Sequence, residues 1–349
     1  MGGAQYQIRC LLDELQKTDD FDITYLTRRT NPLYQPIGYR IIRLSEAKGI
    51  KRHGFFFDTT RLLKSLKEIQ PDVIYQRTLS AHTGIAAHYA KKKNCRLVWH
   101  ISHDHDVSPV ILTMEKSTVI KYIDRKIGEY GIKKSDYIIA QTKKQKKLLE
   151  QNYGRRATAI IPNFHPFPSE RIQKSPPNRI LWVANFKPMK RPELFVRLAK
   201  DLSNIEEIEF IMIGRAGSRE KKYRNMYEQI EKMRNLRYLG ECSIKEVNRI
   251  LSQSHIFVNT SLAEGFPNTF IQAWMRKVPV VSLDVSTDSL LNGNQVGLHS
   301  RSYEEMRDNV LKLIRNPGLR AAMGERAQEY AFKHHSMANA KSLVSLLRS

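Results

Sequence analysis

Two rounds of the same alternation constrain this sequence more than any other feature. In the first half, short continuous apolar runs FDITYL (21–26), DVIYQ (72–76), RLVWHI (96–101), DYIIAQ (136–141) and TAIIPN (158–163) are separated by longer stretches. In the second half the runs are RILWVANF (179–186), EFIMIG (209–214), LRYLG (236–240), HIFVNT (255–260) and VPVVSL (278–283). Between them lie stretches of helical period such as TTRLLKSLKEIQ, RPELFVRLAKDL and SIKEVNRILSQS. Runs that are apolar throughout, rather than at every second residue, predict strands buried on both faces. Strand and helix taking turns then predicts a parallel sheet with helices on both sides. At 349 residues the chain exceeds one ordinary domain. The stretch PNFHPFPSERIQKSPPN (162–178) carries five prolines and no apolar period, which marks a linker. The expectation is α/β: two doubly wound Rossmann-like domains, 1–165 and 179–330, joined by residues 166–178.

The opening breaks the rule. MGGAQYQIRCLLDELQKT places a glycine pair directly before an amphipathic helix. In a doubly wound domain a central strand precedes such a turn, and here none does. The first strand is expected to be missing, either because translation begins upstream of Met1 or because the chain is truncated.

Composition narrows the partners. With 58 Lys+Arg against 35 Asp+Glu the formal charge is +23, which suits a polyanion or an anionic membrane face. The surplus is densest at 133–156, where eight basic residues face two acids. A solvated helix face accounts for the same pattern. No zinc-finger spacing, aromatic RNA-binding signature or phosphate loop ending in Lys-Ser/Thr is present, so no nucleic-acid partner is expected. No apolar stretch approaches the ~20 residues of a membrane span. The cysteines Cys10, Cys95 and Cys242 form neither a disulfide framework nor a CxxC pair. These features point to the cytoplasm, with the inner face of the membrane as a peripheral seat.

The stretch SLAEGFPNTFIQAW (261–274) joins a strand to a helix. Ligands of open parallel sheets gather beyond the carboxyl ends of the strands. Gly265 would permit backbone angles closed to other residues, and Pro267 suits a first helical turn. A helix starting near Phe266 would aim free N–H groups, including that of Asn268, and its positive dipole end at an anion. Glu264 would stand beside that end and accept hydrogen bonds from a polyol. Gln272, with its side chain leaning back toward the N-terminus, would reach the same place. The same residues also fit a plain strand–turn–helix in which Glu264 is a dipole-favoured acid.

EGFPNTFIQAW resembles the E-x7-E signature of glycosyltransferase family 4, retaining enzymes of the GT-B fold, with Gln272 at the second acid. GGAQ (2–5) is similar to the family's glycine turn, which puts Gly2 and Gly3 on the acceptor side. WVANFKPMKRPELFVRLA (182–199) resembles its donor-phosphate segment, and IMIGRAGS (211–218) the strand and turn that follow. The departures are Asn185 where the family usually has an arginine, and Arg191 in place of a glycine. Lys187 is a candidate for the missing charge.

The resemblance implies two domains facing a central cleft and transfer of a sugar from a nucleotide donor with retention, without metal or other cofactor. Lys190 and residues 265–268 would hold the diphosphate, Glu264 the sugar hydroxyls and Gln272 the ribose. Cation and helix terminus would stabilise the charge that builds on the leaving diphosphate. The acceptor would be a glycan or a polyprenyl-linked glycan, and the basic cluster at 133–156 would hold the enzyme on an anionic membrane. The final helical segment, 331–349, would pack back on the first domain. A non-catalytic partner subunit that binds sugar nucleotide or glycan, and a GT-B enzyme of other stereochemistry, remain alternatives.

RLVWHISHDHDV (96–107) sets five His and Asp residues at a strand end. An active-site loop, a metal cluster and ordinary polar loop residues all fit that pattern. His100 and Asp104 are the candidates for positioning the acceptor.

Overall fold

The structure is a computed structural model that describes residues 3–28, 36–44, 54–108, 116–216, 221–286, 290–293 and 295–349. The chain divides into two units, 1–164 with 337–349, and 165–336.

In the first unit the elements run α1 (Gly3–Leu15), β1 (Thr24–Thr27), β2 (Arg40–Arg43), α2 (Thr59–Ile69), β3 (Val73–Arg77), α3 (Ala81–Lys93), β4 (Arg96–His100), α4 (Lys116–Lys134), β5 (Tyr137–Ala140), α5 (Lys143–Tyr153) and β6 (Ala159–Ile160). Strands β3-β4-β5-β6 form one parallel sheet in that order, and β1 pairs with β2 in a separate parallel pair. Alternation of side chains along β4 and β5 decides what covers each face. Val98 and Ile139 pack under α1 with Cys10, Leu11 and Leu15. Leu97 packs with Leu62, Leu66 and Ile85 of α2 and α3, and Trp99 and Ile138 with Ile132 and Leu149 of α4 and α5.

The second unit continues with β7 (Asn178–Val183), α6 (Pro192–Asp201), β8 (Ile208–Ile213), α7 (Arg224–Glu231), β9 (Leu236–Tyr238), α8 (Ile244–Gln253), β10 (Ile256–Asn259), α9 (Asn268–Trp274), β11 (Val280–Ser282), α10 (Leu290–Gly293), β12 (Gly297–His299), α11 (Tyr303–Arg315) and α12 (Pro317–His335). Its six strands are parallel in the order β12-β11-β10-β7-β8-β9. The chain starts at the centre, builds outward through β8 and β9, then returns to the other side of β7 with β10. The order therefore reverses between β7 and β10, the neighbours at which doubly wound sheets bind ligands. Ile180, Trp182, Phe195, Phe210 and Val258 fill one face of the sheet, and Leu181, Phe257, Phe270 and Trp274 the other.

Residues 165–177 have no helix or strand, and they are tied to the second unit. Gln173 N–H donates to Ser252 O, Glu170 pairs with Arg276, and Lys174 donates to Lys277 O. Burial pushes the Lys174 amine down to about 7, with Arg320 adding to the effect. The C-terminal segment is two helices rather than one. α12 stops at His335, where Ser336 is extended, and α13 (Ala338–Arg348) belongs to the first unit. Ala340, Leu343, Val344 and Leu347 of α13 share the core that holds α1.

Candidate functional site

The loops that follow β7 and β10, the two strands at the reversal, bring Lys190 and Glu264 together. After β7 the chain passes Asn185 and Lys187, both exposed, while Phe186 between them is buried. Phe186 N–H is held by Arg215 O at 2.8 Å, and its ring packs on Trp182 and Tyr223. A 3₁₀ turn, Pro188–Lys190, then leads to Arg191. Arg191 has φ 45° and ψ 56°, the left-handed region in which glycine is at ease. Its guanidinium offsets that strain by donating to Thr260 O at 2.7 Å and pairing with Asp284. Thr260 is the hub between the two loops. Its hydroxyl accepts from Trp182 Nε1 at 2.9 Å and donates to Lys190 O at 2.6 Å. Leu262 N–H adds a bond to Met189 O at 2.9 Å.

On this frame Lys190 Nζ donates to Glu264 Oε1, with the two side chains only 18% and 16% exposed. An ammonium and a carboxylate are thus held together, mostly out of water, at the carboxyl edge of the sheet. One group suits a phosphate oxygen and the other a sugar hydroxyl.

The following helix departs from expectation. α9 begins at Asn268 rather than near Phe266, because Pro267, with φ −67° and ψ 120°, is extended and stands at the N-cap. Asn268 Oδ1 is joined to His165 Nε2 at 3.1 Å, and Phe266 lies 4.6 Å, ring centre to ring centre, from His335. Among the described residues the glycines with positive φ are Gly38, Gly154, Gly214 and Gly240, so Gly265 does not use the freedom expected of it. Gly214 does, at the end of β8: φ is 152°, and a Cβ there would meet Ala184 O at 1.8 Å. His165 is fully buried, and burial holds it neutral, down to about 3, despite the Asn268 bond. Gln272 is buried on α9, and its Nε2 donates to Asn248 Oδ1 on α8 at 2.9 Å. Asn248 escaped the sequence reading. It lies in a helix whose pattern explained itself as amphipathic, and only the packing of α8 on α9 reveals it.

In the first unit, Gly3 opens α1, and Gly2 lies outside the described residues. His100 ends β4 wholly buried, with Nδ1 bonded to Tyr75 OH at 2.8 Å. Burial first, then the nearby Arg77 guanidinium, pushes its basicity well below the usual range. Asp104 turns to other partners: it accepts from Gln145 Nε2 at 3.2 Å and pairs with Lys144 Nζ at 2.7 Å. Asp106 holds the turn, accepting the N–H groups of Ser102 and His103 at 2.8 and 3.0 Å. Among the described residues no group of three His, Cys, Asp or Glu is placed to hold a metal ion.

Within the basic cluster, Lys133, Lys134, Lys143, Lys146 and Lys147 are exposed. Arg155 is instead spent on the carbonyls that end α4, donating to Ile132 O at 3.1 Å and Ser135 O at 2.7 Å. No described helix is long and apolar enough to cross a membrane.

The model of Glycosyltransferase Family 4 matches residues 1–165, and that of Glycosyl transferases group 1 matches residues 167–330. The chain is a glycosyltransferase. An uncharacterized glycosyltransferase of Methanocaldococcus jannaschii is 23% identical to this enzyme over 341 residues, covering 95% of this chain and 90% of its own. The alpha-galactosylglucosyldiacylglycerol synthase of Streptococcus pneumoniae is 26% identical over 209 residues, 54% of each chain. Among solved structures, Anabaena HepE in complex with UDP and glucose superposes with a TM-score of 0.76 at 14% identity, covering 99% of this chain and 95% of its own. The glycosyltransferase therefore has the GT-B fold, two Rossmann-like domains with parallel sheets.

Proposed function

We propose that this glycosyltransferase moves a sugar from a nucleotide-sugar donor to a glycan or polyprenyl-linked acceptor, with retention of anomeric configuration and without a metal, in polysaccharide or glycoconjugate assembly. The observation that carries the reading is the convergence of Lys190 and Glu264 from the two loops at the strand-order reversal. Bond breaking to a diphosphate leaves negative charge on the phosphate and positive character on the sugar. An ammonium at the first and a carboxylate beside the second lower that barrier together. Lys190, with the backbone of Gly265, Phe266, Pro267 and Asn268, would hold the diphosphate, and the exposed Asn185 and Lys187 would approach it from the loop after β7. Glu264 would grip sugar hydroxyls, and the carbonyl of Gln272 would accept from the ribose. On the acceptor side, Gly3 at the start of α1 and Gly2 before it would border the site. Asp104 would orient the incoming hydroxyl, with His100 bracing the strand end beneath. The exposed lysines of 133–147 would rest on an anionic inner membrane face. Support for a UDP-sugar comes from the UDP and glucose held by HepE, and support for a lipid acceptor from the name of the diacylglycerol relative.

Thermal unfolding in the presence of UDP-, GDP- and other nucleotide sugars tests the donor. One class should raise the midpoint, and product analysis should find the donor's anomeric configuration kept. Binding without turnover would leave a carbohydrate-binding subunit instead, and an inverted product would remove the retaining mechanism.

A further inference from the structure

Two arginines are buried among the described residues, and only one of them has an acid. Arg276 pairs with Glu170 in the second unit. Even Arg28, less deeply set, pairs with the buried Asp58. Arg77, 7% exposed at the last position of β3, has no carboxylate partner among the described residues. Its guanidinium meets neutral groups instead. Nη2 donates to Asn163 Oδ1, and Nη1 lies 3.5 Å from Tyr75 OH and 3.4 Å from His100 Nδ1. Burial keeps that tyrosine and that histidine uncharged. Arg77 Nε is buried without a partner among the described residues. A charge taken out of water without a counter-charge costs free energy that neutral hydrogen bonds return only in part. An arginine kept for structure alone is expected to carry an acid, as Arg276 does.

The position suits a ligand. β3, β4 and β6 are parallel members of one sheet, so Arg77, His100 and Asn163 stand at its carboxyl edge, where open sheets bind ligands. The next residue, Thr78, has φ 74°, a left-handed angle that is costly for a β-branched side chain. It is held there by Gln76 Nε2, which donates to Thr78 O at 2.7 Å, and by a 2.8 Å bond between its own hydroxyl and that of Ser102. Strain maintained by surrounding bonds gathers at binding sites. With Thr24, Tyr75 and His82, Arg77 also borders a cavity of about 890 Å³ whose walls mix apolar with polar and charged side chains, which puts the guanidinium within reach of a bound group. We propose that Arg77 binds an acidic group of the acceptor, a phosphate ester or a uronate carboxylate. The inference rests on the reading of the first unit as the acceptor side. Either group accepts two parallel N–H bonds from a guanidinium; Nε has its hydrogen to give, and each Nη carries a second one. A neutral glycan would leave the buried charge unpaired and should bind less well.

The test is calorimetry on the full chain saturated with UDP, so that donor-side cations are already occupied. Three probes are titrated: citronellyl phosphate, methyl glucuronide and the neutral methyl glucoside. At least one anion should bind more tightly than methyl glucoside, and a preference between the two anions names the source of the charge. Arg77→Gln should weaken the preferred anion about 30-fold. Arg77→Lys should weaken it about 5-fold, because lysine keeps the charge but not the planar fork. Neither substitution should move the affinity for UDP or for methyl glucoside. The proposal is overturned if neither anion binds better than methyl glucoside, or if the bound anion is indifferent to both substitutions. It is equally overturned if the substitutions weaken methyl glucoside as much as the anion, which would make Arg77 a support for the fold. Should Arg77→Gln fail to fold, Arg77→Lys decides alone, and an unchanged anion affinity overturns the proposal. The UDP titration that precedes the probes reads the donor side by itself, so failure of the donor reading is told apart from failure of this one.

Discussion

Replacing Glu264 by Gln, and separately Lys190 by Met, should split donor binding into its two halves. In the resting enzyme the ammonium and carboxylate neutralise each other with less than a fifth of either side chain exposed. A charge-assisted hydrogen bond in such a setting contributes about 1.5–3 kcal/mol. Lys190→Met removes the cation meant for the diphosphate, so UDP affinity should fall about 10- to 150-fold, the equivalent of that range. Glu264→Gln removes the competitor. Lys190 then meets the diphosphate without first leaving a carboxylate, and UDP should bind as well as before or up to about 5-fold tighter, a gain of about 1 kcal/mol. Transfer from the sugar donor should nonetheless fall about 100-fold, because the group proposed to steady the sugar is lost. Calorimetry with UDP alone and a separate turnover assay read the two effects. Should Glu264→Gln weaken UDP as much as Lys190→Met does, the carboxylate acts on the phosphate side and the division of labour is wrong. Should Lys190→Met leave UDP affinity intact, Lys190 is not the diphosphate ligand.

Acid should destabilise the second unit through two buried histidines. Burial holds His165 at about 3 and His255 at about 4, while unfolded histidine titrates near 6.5. Their stabilisation is complete above pH 6.5 and is lost as pH falls toward those folded values. By pH 5.5 each should have given up about 1.4 kcal/mol, and His165→Gln should flatten the denaturation profile by one histidine. Gly214→Ala should cost about 3 kcal/mol or more, since its Cβ would overlap Ala184 O. Gly240→Ala, with φ 66° but nothing within 4 Å of the new Cβ, should cost only about 1–2 kcal/mol, both variants being read by urea titration. Gln7→Leu should cost about 2–4 kcal/mol in the first unit, because it strands the buried N–H and C=O of Phe164 together.

The fold was legible wherever one stretch of sequence carried its own burial. Phe257 and Val258 of β10 face opposite sides of the sheet and are both buried, so the run looks apolar throughout and announces a central parallel strand. β2, with Arg40 and Arg43 exposed, and β12, three residues long, lack that signal. They are strands because neighbours offer pairing partners, and no local pattern says so. The site divides along the same line. Glu264 was visible because an acid, a glycine and a proline between strand and helix needed an explanation. Its contact with Lys190 was visible only through resemblance, since 74 residues separate them and the order reversal between β7 and β10 brings their loops together. Least legible was how the helix entry is built. Proline at 267 reads equally well as a first helical residue or as the extended residue before it, and backbone pairing decides. The extended choice moves the first helical turn to Asn268, whose side chain is joined to His165, so part of what looked like open anion-binding surface supports the loop instead. On the proposed reading, anion recognition at this edge would then rest chiefly on Lys190, whose carbonyl Thr260 holds and whose neighbour Arg191 pairs with Asp284, which is why substitution of Lys190 is the sharper test of function.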